Sequence, residues 1–346
     1  AAFMAISLPL TAGARTIHVP VDEPTIQAGL AAAINGDVVM VAPGTYFEYD
    51  LEIAKGITFT SESPDDPSVV AATVIDAGAN GRILTVKNRW QHTTIEGMTF
   101  QNGYAQNGGG VYFYYTDTAI RHCVFRNCVA TSQGGGVYYN DSSQEDEYAT
   151  FEGCRFEGND AVNGGSAFYA SYASPTLMNC VVQGNVGSAL QFVFAPEPQI
   201  KNCIIADNGT GLYCYESSPV LMNCTIADNT DEGIYVSVSG SPTLTNCIVW
   251  DGGITLSGAF ATADARFSNI EGSWPGIGNL NANPMFRSYR SFDYLLAPNS
   301  PCLDMGDPSI QDGLSDSHPK WPEWYPNGAR SDMGAYGGSN NRGWLN

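Results

Sequence analysis

The chain has 346 residues and carries 35 acidic against 15 basic side chains, a formal net charge of −20. No cationic cluster is present to meet phosphates, so nucleic acid is excluded as a natural partner. No apolar run approaches 18 residues, so no membrane span is expected.

Residues 1–14 are apolar and end in small residues, like the core of a secretion signal. They also alternate, so that Met4, Ile6, Leu8 and Leu10 would share one strand face. Such a face packs on its own molecule or docks onto a neighbouring copy by strand addition, and both readings stay open. In residues 15–62, Ile26, Leu30, Ala33 and Ile34 give one apolar face to a short helix able to cap a solenoid end. Strands at 38–41, 57–60 and 83–86 follow.

From Thr94 to Ile270 one phrase, Pro-x-(Leu/Ile)-x-Asn-Cys-x-(Ile/Val)-x-x-Asn, is rewritten seven times. From Met98 through Cys123, Cys154, Cys180, Cys203, Cys224 and Cys247 the steps are 25, 31, 26, 23, 21 and 23 residues. A period of that size means a stacked solenoid and one elongated domain. Three positions before the Cys stand Ile95, Ile120, Phe151, Leu177, Ile200, Leu221 and Leu244, and two after it stand Phe100, Phe125, Phe156, Val182, Ile205, Ile226 and Val249. Short alternating runs cut by Asn, Gly and Ser-Pro are strand grammar. Asn159, Asn185, Asn208 and Asn229 would stack at a bend, each amide bonding its neighbours. The reading is all-β: a right-handed parallel β-helix of about ten coils with an N-terminal capping helix, about 50 Å long at the strand spacing, the hand taken from the crossover preference. The cysteine column is expected to be buried free thiol rather than disulfide or metal ligand; Cys128, Cys214 and Cys302 fit no column.

A second strand recurs between the Asn bend and the next copy. Counting by twos, Tyr112, Tyr138, Phe168, Gln191, Tyr213 and Tyr235 should form one outward file, with Tyr114 and Tyr215 in a file beside it. The acidic insertion at 140–147 accounts for the one 31-residue step and must bulge as a loop. The chain is divided at 1–14, 15–62, 63–286 and 287–346.

The phrases Ile17-His18-Val19, Pro43-Gly44-Thr45-Tyr46, Ser300-Pro301-Cys302-Leu303-Asp304-Met305-Gly306-Asp307 and Asp332-Met333-Gly334-Ala335-Tyr336-Gly337 resemble the opening and closing segments of secreted and surface-anchored β-helix proteins. Gly337 stands where that ending usually has Glu. The resemblance implies the fold and a secreted or cell-surface location, while its members include lyases, hydrolases, adhesins and assembly proteins. Trp321-Pro322-Glu323-Trp324-Tyr325-Pro326 reads as an aromatic plug for the last coil, or else a sugar contact.

A lyase needs a base beside a uronate and a cation for its carboxylate; Tyr138, Arg121 and His122 are candidates. A hydrolase needs two carboxylates, for which Asp141, Glu145 and Asp146 are candidates in the insertion. Calcium is a possible cofactor, held by that loop or by Asp304, Asp307, Asp312 and Asp316. Tyr112, Tyr114, Tyr138, Phe168, Tyr213, Tyr215 and Tyr235 are candidate contacts to glycans or to a neighbouring subunit. The leading expectation is a mainly structural extracellular β-helix that assembles with copies of itself through residues 1–14. The alternative is a secreted polysaccharide lyase or glycoside hydrolase working in a groove beside residues 141–147.

Overall fold

The computed structural model describes residues 13–87, 91–141, 149–290, 292–314, 319, 321–325 and 328–345. The face expected from Met4, Ile6, Leu8 and Leu10 lies outside these residues, as do Glu145, Asp146 and Asp316.

Each coil gives one short strand to each of three parallel sheets. The first has eleven strands, from Thr16–Val19 to Asp264–Arg266; the second has ten, from Gly44–Tyr46 to Asn269–Ile270. The third has nine, from Leu51–Ile53 to Ile254–Ser257. Like residues pair coil over coil without slip: Ile95, Ile120, Phe151, Leu177, Ile200, Leu221 and Leu244 form one inward column. Phe100, Phe125 and Phe156 stack at 5.3 and 5.0 Å with rings within 10° of parallel. Each such buried ring stabilises the coil by about 2–3 kcal/mol.

All nine cysteines are free and buried. Thiols in the column lean on backbone carbonyls, as Cys180 Sγ does on Phe151 O at 3.5 Å and Met178 O at 3.4 Å. Burial pushes Cys123 and Cys128 up to about 12, which leaves little thiolate to react. Beside this column the asparagines form a buried ladder. Asn159 donates from its backbone and its amide to Asn185 Oδ1, and Asn185 does the same to Asn208. Cys128 heads that ladder, its N–H donating to Asn159 Oδ1 at 3.0 Å. Cys214 fills an inward slot of the third sheet between Phe192 and Val236.

At the N-terminal end α1 (Ile26–Ala32) buries Ile26 and Leu30 in the core. Thr25 accepts from Ala28 N as its cap. Ile34 falls beyond the helix and is exposed, contrary to the face expected of it, because the helix stops at Ala32.

Phe168 is corrected by the structure. It is 0% exposed and pairs with Val137 and Leu190, so it points inward. Ala167 stands opposite Gly136 rather than Val137, so counting by twos from Ala167 starts one residue early, and a one-residue slip turns every side chain over. Tyr169 takes the outward place in the file Tyr112, Tyr138, Tyr169, Gln191, Tyr213 and Tyr235.

The C-terminal segment does not plug the last coil. After an antiparallel pair, Phe286–Tyr289 with Phe292–Leu296, it folds back along the outside of the second sheet. Trp321, Tyr325, Met333 and Tyr336 bury against Ile204, Ala206 and Ile248. These outward positions are apolar in the later coils, so a cover is demanded there. The asparagines of the Asn-Cys pairs latch it: Asn202 donates to Ala335 O and Gly337 O, and Asn223 to Ser331 Oγ and Asp332 O. Gly337 must be glycine, since a Cβ there would sit 2.1 Å from Asp332 O.

Candidate functional site

The outward face of the second sheet is covered at both ends and open between them. Its outward columns run Val74, Thr99, Val124, Arg155, Val181, Ile204 and Asp76, Gln101, Arg126, Glu157, Gln183, Ala206. Helix α2 (Pro67–Ala72) covers the first coils, where Thr99 Oγ1 donates to Val70 O at 3.0 Å. The C-terminal segment covers the coils from Ile204 onward. Between them lie two adjoining hollows of about 360 and 450 Å³, which share Arg155, Val181 and Trp344.

His122, Arg126, Arg155, Glu157 and Asp65 line the first hollow, and Asp293, Tyr294 and Tyr336 line the second. Arg126 is aimed by a chain across three coils: its Nε donates to Gln101 Oε1 at 2.8 Å, and Gln101 donates to Asp76 at 2.7 Å. Arg155 Nε is held on Glu157 at 2.7 Å. Trp344 fixes its ring by donating from Nε1 to Ala335 O at 2.8 Å. The hollow is therefore of mixed charge, with sugar-sized room beside an aromatic wall.

His122 occupies a left-handed corner (φ 49°) where neighbouring coils carry Gly97, Gly153, Asn179 and Asn202. Its ring lies over Gly153, where a Cβ would come within 2.4 Å of Cδ2. The absent side chain at 153 thus makes the imidazole's berth. Nδ1 is buried and 2.9 Å from Asp65 Oδ1, off the line of a hydrogen bond, so the pairing is Coulombic when the ring is protonated. Asp65 is mostly exposed, which keeps that attraction small.

The other candidates lie elsewhere. Arg121 points from the first sheet and meets Glu152 at 3.7 Å. Tyr138 stands on the third sheet, edge to face with Tyr112 at 5.1 Å and stacked on Tyr169 at 5.2 Å. Asp141 is buried at that sheet's end, its N–H donating to Ser171 O. Tyr138 and Asp141 thus both belong to the third sheet and not to the face that carries His122. Tyr213 and Tyr235 stack at 5.2 Å, and Tyr114 and Tyr215 share the neighbouring file. Arg82 lies over Tyr112 at 5.1 Å.

Asp304, Asp307 and Asp312, expected as calcium ligands, lie in the C-terminal segment. Asp307 accepts from Ser309 N and Oγ, while Asp304 and Asp312 sit near Asp332. Among the described residues no three His, Cys, Asp or Glu side chains are placed to hold a metal.

Sequence reasoning did not place Arg155, Asp65 or Trp344 in a site, and Arg126 stood out only by its closeness to Arg121 and His122. A signal existed: the outward places one and three after each Cys are apolar in the later coils but charged at 126, 155 and 157.

No curated protein matches the sequence. A family model described as a right handed beta helix region matches residues 109–270. The crystal structure of pectate lyase Pel9A is 14% identical, with 94% of this chain and 96% of that one covered at a TM-score of 0.61. The A-module of Azotobacter vinelandii mannuronan C-5 epimerase AlgE4 is 13% identical over 75% and 95% of the two chains at a TM-score of 0.38. The PL6 family alginate lyase AlyGC is 13% identical over 83% and 55% at 0.40. At 14% identity the likeness to the pectate lyase speaks for the fold alone: the chain is a right-handed parallel β-helix of about ten turns.

Proposed function

We propose that the chain is a polysaccharide lyase acting on a uronate-containing glycan in the groove over the second sheet. The observation that carries this is the meeting of His122, Arg126 and Arg155, in a chain with a net charge of −20, in one hollow beside Trp344. The only basic residues from 127 to 265 are Arg155 and Lys201, so a cation inside a hollow is a rare placement here. The fold likeness to a pectate lyase supports the same substrate class. Self-assembly through residues 1–14 has no support in the fold or the comparisons, and the enzymatic alternative fits them better. The site proposed differs from the expected groove beside 141–147.

In this reading Arg126, with Arg155 flanking it, meets the uronate carboxylate and favours the charge that builds up as the neighbouring C–H bond ionises. Neutral His122 takes that proton through Nε2. The electron pair forms the C4–C5 double bond, the C4–O bond breaks, and the leaving glycan oxygen takes up a proton. Trp344 stacks on an adjacent sugar ring. An extracellular location belongs to the same proposal, since its substrates lie outside cells; finding the native protein only inside its cells would count against it.

The test is incubation of the full chain with polygalacturonate, alginate and neutral glycans, reading both unsaturated uronate absorbance and new reducing ends. Unsaturated ends lost in His122→Gln support the proposal. Reducing ends without unsaturation would instead mark a hydrolase, with Asp65 and Glu157 the carboxylates to examine, and no new ends on any glycan would sink it.

A further inference from the structure

Each corner of the helix needs a residue in the left-handed region. After the first sheet it is filled by Gly97, Gly153, Asn179, Asn202, Asn223 and Asn246, with His122 and Phe267 as exceptions; after the second, by Asn102, Asn127, Gly158, Gly184, Asp207 and Asp228. Gly, Asn and Asp adopt that region cheaply. After the third sheet the residues are Tyr115, Tyr172, Phe194, Glu216 and Val238, at φ between 46 and 61°. Each bulky side chain there costs about 1–2 kcal/mol of backbone strain. Burial does not offset it, for Tyr172 is 52% and Phe194 37% exposed. Their mutual stack returns only about 0.5–1.5 kcal/mol. Exposed rings held against local preference mark a surface kept for contact.

The rings of Tyr172 and Phe194 are 17° from parallel with centroids 5.0 Å apart. Flat groups in contact are separated by about 3.5–4.0 Å, so the two rings are slipped by roughly 3–3.5 Å. Part of each face is left open, as in a two-step stair. Tyr215 closes the next step, its ring at 87° to Phe194 with centroids 5.5 Å apart.

We infer that this stair is a second glycan-binding surface, for a neutral polysaccharide, on a different sheet from the groove. A pyranose ring offers a flat C–H face to an aromatic step and hydroxyls to its rim. The adjoining positions offer the Tyr215 hydroxyl, Ser237 and Glu216. Two or three rings fall far short of the roughly 800 Å² per partner that a stable protein interface buries, which argues against a second copy as the occupant. Glu216 beside the stair disfavours a polyanion there. The surface would hold the protein on a neutral matrix while the groove works on an acidic chain, and its binding does not depend on turnover.

The experiment is affinity gel electrophoresis of the full chain through soluble β-glucan, xylan and galactomannan, with polygalacturonate as the anionic comparison. The wild type should be retarded by at least one neutral polymer. The double variant Tyr172→Asn/Phe194→Asn should lose tenfold or more of that affinity without a lower Tm, because Asn accepts the left-handed corner. Phe194→Tyr should keep it, and His122→Gln should bind unchanged even if turnover stops. The inference is overturned if no neutral polymer retards the chain or if the double variant binds as before. It is likewise overturned if only polygalacturonate binds, or if the double variant changes the oligomeric size, which would assign the stair to a second copy.

Discussion

Asn185→Ala measures how much the asparagine ladder contributes to the coil. Asn185 Oδ1 accepts from the backbone and amide nitrogens of Asn159, both at 3.0 Å. Its Nδ2 donates to Phe156 O and Asn208 Oδ1 at 3.0 Å and to Gln183 O at 3.1 Å. Truncation leaves the Asn159 N–H without this acceptor in a fully buried residue. An orphaned buried group costs about 1–3 kcal/mol and each of the four further lost bonds about 0.5–1, so the expected loss is about 3–7 kcal/mol. Cys180→Ala, which removes one buried thiol from the same coil, should cost only about 1 kcal/mol. Urea unfolding followed by circular dichroism compares the two, with a constant m-value certifying a common transition. Hydrogen exchange at the Asn159 amide reads local opening, since a solenoid can unzip by coils. A loss below about 1 kcal/mol, or no larger than that of Cys180→Ala, would refute the ladder as a principal support.

His122→Gln should lower kcat by about 10²–10⁴ with little change in Tm, measured as the rate of unsaturated-end formation. Arg126→Gln should raise KM and lower kcat together on uronate polymer, and restored activity on a methyl-esterified polymer would confirm that it meets the carboxylate. Gly153→Ala should displace the imidazole, because its Cβ would meet the ring and its φ is 62°; activity should fall several-fold more than Tm accounts for. Burial beside Asp332 pushes Asp312 up to about 8. A carboxyl raised in the folded state adds stability that is complete below its unfolded value near 3.9 and is lost as pH rises through about 8. Asp312→Asn keeps an acceptor for the Gly338 N–H and should flatten that decline. It should melt like the wild type at pH 4 and be more stable by about 2–4 kcal/mol at pH 8; equal pH dependence in both would refute the assignment.

The coils were legible because their cause is local and repeated. The Cys, Ile/Leu and Phe/Val columns recur at fixed offsets, and every inward column appears in register. Where a small residue such as Ala167 is taken for the inward anchor, counting by twos gives the wrong face, and only hydrogen-bond register restores it. His122 was visible as a rare histidine but not as a groove residue. Its setting depends on Gly153 one coil on, on Asp65 from the segment before α2, and on Trp344 from the far end of the chain. No spacing rule joins residues 65, 122 and 344.

The groove is a consequence of what the covering segments can bury. Outward Ile204, Ala206 and Ile248 gain by being covered, about 25 cal/mol for each Å² removed from water. Arg155 and Glu157, two coils earlier, would each lose solvation worth several kcal/mol under the same cover. The C-terminal segment therefore settles on the apolar coils, with Trp344 at the edge of the hollow, while α2 settles on Thr99, with Pro67 at the other edge. Polar substitution at Ile204 would push that boundary onward and widen the groove; apolar substitution at Arg155 would invite the cover to close it. The position of the site along the rod is thus set by the same outward column whose charge equips it for chemistry.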